Sequence, residues 1–224
     1  MNSMYQQLMQ LPLFQGVSTE VITALVEKLP FHFLKYRNGE HVFDAGDACT
    51  HIKFIVSGKV RLETVFPKLR VNMRQTISSP HVLAPEYLFG RHTVYPYTAV
   101  SDGTCGILQL RKSDYIKMIS ADKVFLFNIL NYLSTGRQHN LSYPLSIKDG
   151  SVIERLATLV DMLTVQGATD ISFSYRQRDM CALLGVQRST LISTLDKLKS
   201  QEILDFDANG MQISDLTGLL TATE

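Results

Sequence analysis

The chain has 224 residues, 45% hydrophobic and 19% charged, the balance of an ordinary soluble globular protein long enough for two domains. Its net charge of +1 excludes a uniformly basic nucleic-acid binder and leaves room for a local basic face only. No run approaches the roughly 18 apolar residues of a membrane span, and Met1 to Leu11 lacks the basic and apolar regions of a signal peptide. Cys49, Cys105 and Cys181 show no C-x-x-C spacing, so the expectation is a cytoplasmic protein whose thiols act as small buried hydrophobes.

The opening segment, Ser3 to Leu29, reads as helical. Ser18 is its best N-cap, Val21, Ile22, Leu25, Val26 and Leu29 repeat at helical spacing, and Pro30 ends it. From Phe31 to about Arg111, short β-rich runs alternate with glycine turns. Asn38-Gly39, Ala45-Gly46-Asp47 and Ser57-Gly58-Lys59 separate Phe31–Tyr36, His41–Phe43, Ile52–Val56 and Val60–Val65, which predicts hairpins of a sandwich or barrel. Helical character returns from Asp114 to about Leu141. Val124 to Leu133 is apolar nearly all round, so that helix must bury more than one face, either within a monomer core or against a second copy. Tyr143-Pro144 and Lys148-Asp149-Gly150 predict a hinge.

The last third predicts a helix over Ser151 to Val165, a short helix over Arg176 to Leu184, and another over Arg188 to Lys199 after Gly185-Val186-Gln187. A small hairpin follows, Ile203–Phe206 and Met211–Ile213 around Asp207–Gly210. The middle two helices carry the strongest signal. A helix-turn-helix needs a small residue at the crossing, for which Ala182 is available, and a residue free to turn left-handed, which Gly185 supplies. Leu183, Val186, Leu191 and Leu195 are spaced to lock the two helices together. Gln187, Arg188, Ser189, Thr190, Ser193 and Lys197 then remain outside, hydrogen-bonding groups suited to base edges and phosphates.

The order of these segments resembles the Crp/Fnr family, which includes the cyclic-AMP receptor protein and the fumarate-nitrate regulator. Asn38-Gly39-Glu40, Ala45-Gly46-Asp47 and Phe54–Leu62 look like the early strands of its nucleotide-binding barrel. Pro96–Val100 and Cys105–Leu110 look like its later strands, and the helix from about Asp122 like its dimer helix. The resemblance implies an α+β fold: an N-terminal jelly-roll barrel (a double-stranded β-helix), a long dimerisation helix and a C-terminal winged helix-turn-helix. The implied division is residues 1–120 as sensor, 121–147 as dimer helix and hinge, and 148–224 as DNA-binding domain. It further implies a homodimer on a near-palindromic operator, with double-stranded DNA, a second copy and RNA polymerase as partners and no membrane. Arg188 falls where members place a guanine-reading arginine. Ser189 stands where glutamate is frequent and Ser193 where a further arginine is frequent, so a different operator is expected.

The effector position departs from the cyclic-nucleotide binders. Their Gly-Glu-Leu segment corresponds to Pro85-Glu86-Tyr87, and proline removes a backbone donor. Their phosphate-binding Arg-Ser pair falls near Tyr95-Pro96, without a cation. Arg91 and His92 lie nearby, either to receive another anion or as a solvated loop. Glu86, Arg91, His92, Tyr95, Thr98 and His139 are the candidate effector residues. The expected effector is a small molecule other than a cyclic nucleotide, and no metal or other cofactor is expected. The N-terminal cysteine cluster of iron–sulfur members has no counterpart before Cys49. G-x-S-x-G, H-E-x-x-H and phosphate-loop motifs do not occur, so an enzyme is not expected. The alternative is a nucleotide-binding-like module that acts through protein contacts rather than DNA.

Overall fold

The computed structural model describes residues 8–146 and 150–222. Its opening segment is not one helix. Residues 8–10 are helical, Pro12–Phe14 form a 3-10 turn, and helix α1 spans Thr19–Lys28. Pro12 starts the turn because it has no N–H to lose there, and Gly16 reverses the chain at φ 76°. Ser3 to Gln7 lie outside the described residues. Ser18 caps α1, its Oγ accepting from Val21 N at 3.4 Å.

Two compact units follow. The first comprises the described residues up to Leu62 together with Ile77–Arg137, and the second comprises Glu63–Thr76 and the described residues from Gln138 onward. The strands are β1 (His32–Tyr36), β2 (His41–Phe43), β3 (His51–Phe66), β4 (Val71–Ser78), β5 (His81–Leu83) and β6 (Thr98–Arg111). In the first unit β6 lies between β1 and β3, β2 also pairs with β6, and β5 pairs with β3. Phe14 meets Phe54 and Phe125 edge to face, with ring centroids at 5.7 and 5.2 Å, joining the N-terminal turn, β3 and a later helix in one core.

The expected turn at Ser57-Gly58-Lys59 is absent, because β3 runs straight through it. Gly58 has φ 79°, and a Cβ there would lie 2.3 Å from the Thr104 carbonyl oxygen. The glycine therefore serves a close approach of β6, not a reversal. β6 is likewise continuous across Gly103, joining the two later strands that the sequence predicts separately.

Helix α2 (Lys112–Ala121) and helix α3 (Lys123–Ser146) meet at Asp122, whose Oδ1 accepts from Val124 N at 2.7 Å. α3 passes through Tyr143-Pro144, where the chain was expected to break. Proline's fixed φ is helical, and it removes a single backbone bond there. Residues 147–149 of the expected hinge lie outside the described residues.

The second unit contains α4 (Val152–Leu163), β7 (Thr169–Tyr175), α5 (Gln177–Leu184), α6 (Arg188–Ser200), β8 (Leu204–Phe206), β9 (Gly210–Ile213) and α7 (Leu216–Thr221). A capping box opens α4. Ser151 Oγ accepts from Glu154 N at 3.2 Å, and Glu154 Oε2 accepts from Ser151 N at 2.7 Å. The sheet order is β4-β7-β9-β8, so the far end of the β3–β4 hairpin supplies one strand. Val71 pairs with Tyr175 and Met73 with Phe173, and both hairpin residues are buried in the helical core. Gln75 is buried too. Its Oε1 accepts from Val165 N at 2.8 Å and its Nε2 donates to Leu163 O at 3.4 Å, which satisfies the backbone just after α4.

Candidate nucleic-acid interface and effector region

α5 ends at Gly185, whose φ of 67° and ψ of 37° are left-handed, as the turn requires. Arg155 of α4 donates from Nη1 to Leu184 O at 2.7 Å and so satisfies a carbonyl that the helix end leaves open. Leu191 and Leu195 are buried, and Leu183 and Val186 pack partly buried against the same core. Ala182 does not fill the crossing: it is exposed, and Met180 and Leu184 are the buried side chains of α5. Helical phase puts 180 and 184 on one face and turns 182 away from it.

Gln187, Arg188, Ser189, Thr190, Ser193 and Lys197 are all exposed along α6 and its N-cap. Arg188 is held by Gln177 of α5, which the sequence did not single out. Arg188 Nε donates to Gln177 Oε1 at 2.8 Å, using one of the guanidinium's five N–H groups. The β8–β9 hairpin stands after α6 like a wing. Its exposed Asp205 and Asp207 make it acidic, and Lys199 is tied to Asp205 at 2.6 Å. That hydrogen bond holds the Asp205 carboxyl below the usual range.

In the first unit, Glu86 sits in the 3-10 turn Pro85–Tyr87, entered through Ala84 at φ 46°. Glu86 is accessible to solvent, yet crowding by its surroundings raises its carboxyl, and among the described residues no cation offsets this. Its neighbours are phenols. Burial and then Glu86 raise Tyr97, and burial and then Glu86 raise Tyr132 of α3 to about 12. Neither tyrosine was expected at the site. A carboxylate among phenols offers hydrogen bonds but no positive charge for a cyclic phosphate.

The other candidate effector residues are placed elsewhere in the barrel. Arg91 and His92 are exposed on the loop before β6. Tyr95 is buried, stacks on Phe43 at 3.6 Å and donates to His51 O at 3.3 Å. Thr98 Oγ1 accepts from Ala45 N at 3.1 Å. The side chain of His139 lies outside the described residues.

Two families match the chain: the cyclic nucleotide-binding domain over residues 33–122, and the Crp-like helix-turn-helix domain over residues 154–222. The chain belongs to the Crp/Fnr family. Members of the Crp/Fnr family are transcription regulators rather than enzymes. Among solved structures, the fold resembles the catabolite activator protein of Thermus thermophilus, with a TM-score of 0.52 and 20% identity over 93% of this chain and 98% of that one. It also resembles the N-terminal domain of a transcriptional regulator from Streptomyces coelicolor A3(2), with a TM-score of 0.51 and 19% identity over 65% of this chain and 99% of that one. No curated protein matches the chain in sequence. Among the described residues no helix is long and apolar enough to cross a membrane.

The barrel of this Crp/Fnr chain carries a pH response of its own. Burial of His81 lowers its pKa from 6.5 to about 4, and its Nε2 has no hydrogen-bond partner among the described residues. Between those two values the unfolded chain takes up a proton that the folded chain refuses. Its contribution is therefore complete above pH 6.5 and falls as pH drops toward 4. Urea midpoints should fall more steeply with acid in the wild type than in His81→Gln. Parallel pH profiles would show that His81 is not the cause.

Proposed function

We propose that this Crp/Fnr chain is a cytoplasmic, homodimeric regulator that reads a near-palindromic operator through Gln187, Arg188, Ser189, Thr190, Ser193 and Lys197. The observation that carries this reading is the exposed polar face of α6, held by the Gly185 turn, the Arg155–Leu184 bond and the Arg188–Gln177 bond. Residues 1–120 sense, 121–147 dimerise and form the hinge, and 148–224 bind DNA. The signal is a small molecule other than a cyclic nucleotide, since Glu86, Tyr97 and Tyr132 give a phosphate no cation. An activator of this kind would also engage RNA polymerase. Selection of binding sites from a random duplex library with the full chain tests the reading. Two inverted half-sites about one helical turn apart would support it, and the absence of any enriched sequence would refute it.

The dimer has its own signature. Leu126, Phe127 and Leu130 on α3 are 39%, 59% and 49% exposed, a cluster at helical spacing that a second copy would cover. Phe127→Glu with Leu130→Glu is expected to turn a micromolar dimer into a folded monomer in sedimentation velocity. A wild-type chain that already sediments as a monomer would refute the dimer.

A further inference from the structure

We propose that the end of the β3–β4 hairpin makes a second contact with DNA, placing Lys68 and Arg70 on the phosphate backbone beside the sequence read by α6. This inference rests on the DNA-binding reading above. The β4–β7 ladder fixes the hairpin in the second unit, and the pairing of Val71 with Tyr175 brings its end to the connection that enters α5. From there a chain of contacts runs to the reading helix. Arg70 Nη1 lies 3.5 Å from Asp179 Oδ1, and Arg178 Nε lies 3.7 Å from the same oxygen. Two residues earlier, Gln177 holds Arg188.

Lys68, Arg70, Arg176, Arg178 and Arg188 are all exposed along this route. The carboxylate among them, Asp179, is set back. Its side chain is 12% exposed, against 66% for Arg70 and 67% for Arg178. The cations therefore project while the compensating charge stays below the surface. Arg70 also holds a left-handed backbone at φ 55°, a conformation that surrounding structure must maintain in a non-glycine residue. The wing presents the opposite face, with Asp205 and Asp207 exposed. A polyanion bound along α6 is attracted to the hairpin side and repelled on the wing side. The occupant that fits a row of exposed guanidinium and ammonium groups continuous with the reading helix is the DNA backbone.

The test uses the full chain and a random-sequence duplex of about three helical turns, followed by fluorescence anisotropy from about 50 to 200 mM salt. Lys68→Gln with Arg70→Gln should weaken binding and reduce the slope of log K against log salt by about 1.8, roughly 0.9 for each lost phosphate contact. Lys68→Gln alone leaves the Asp179 pair intact, and should reduce it by about 0.9 if the double variant fails to fold. Slopes equal to that of a wild type that binds DNA would overturn the inference and leave the α6 reading standing, the result a protein-docking hairpin would give. A wild type that binds no duplex would overturn both.

Discussion

Arg188→Ala is expected to cost the selected operator about 1–3 kcal/mol of binding, roughly 5- to 150-fold, while random duplex is weakened far less. The guanidinium stands exposed near the start of α6 and is steadied by Gln177 at 2.8 Å. A bidentate bond to a guanine edge needs that fork, so Arg188→Lys should recover charge but little of the discrimination. Gln177→Ala should produce a smaller loss with the same sign, because the guanidinium would still be present but less well aimed. Competition of operator against random duplex, read by anisotropy, separates these effects. Equal losses on both duplexes would make Arg188 a phosphate contact and not a base reader.

Gly58→Ala is expected to be the most damaging single methyl in the barrel. The new Cβ would lie 2.3 Å from Thr104 O and 2.9 Å from Cys105 Cα, both backbone atoms of β6, and φ 79° is itself costly for alanine. The clash and the dihedral each contribute about 1–3 kcal/mol. Their sum approaches the roughly 5–15 kcal/mol that holds an ordinary domain folded. Gly39→Ala is the control. It shares the positive φ, at 81°, but its Cβ would meet nothing within 4 Å, so only the dihedral cost applies. Thermal midpoints should fall steeply for the first variant and modestly for the second. Similar falls would mean that the strands separate readily at Gly58.

The contrast between these two glycines shows what a local reading can and cannot carry. Asn38-Gly39 and Ser57-Gly58 both announce a positive φ. Only the partner strand decides whether that dihedral turns the chain or lets β6 come close, and the partner lies some forty residues away. The helix-turn-helix was legible because its determinants are adjacent: Gly185, the apolar spacing and the polar face lie within one short stretch. Ala182 failed because the turn alone does not set the rotational phase of α5. β7 was missed although Ile171, Phe173 and Tyr175 alternate inward, since seven residues between two helices offer little pattern without a partner. That partner, β4, is about a hundred positions upstream. Glu86 was identified, but Tyr97 and Tyr132 reach it from separate elements, and no spacing rule links the three.

The borrowed strand also limits how such a regulator can be rearranged. The chain passes between the two units at Leu62, at Thr76 and again at Arg137, so the C-terminal third is not a detachable cassette. A gene fusion made at the hinge would carry residues 150–222 away without Val71, Met73 and Gln75. It would leave the edge of β7 bare and the backbone at Leu163 and Val165 without its glutamine. An uncovered strand edge beside a gap in the core invites pairing with other chains. Exchange of sensors by recombination would therefore succeed only when the hairpin travels with the reading head.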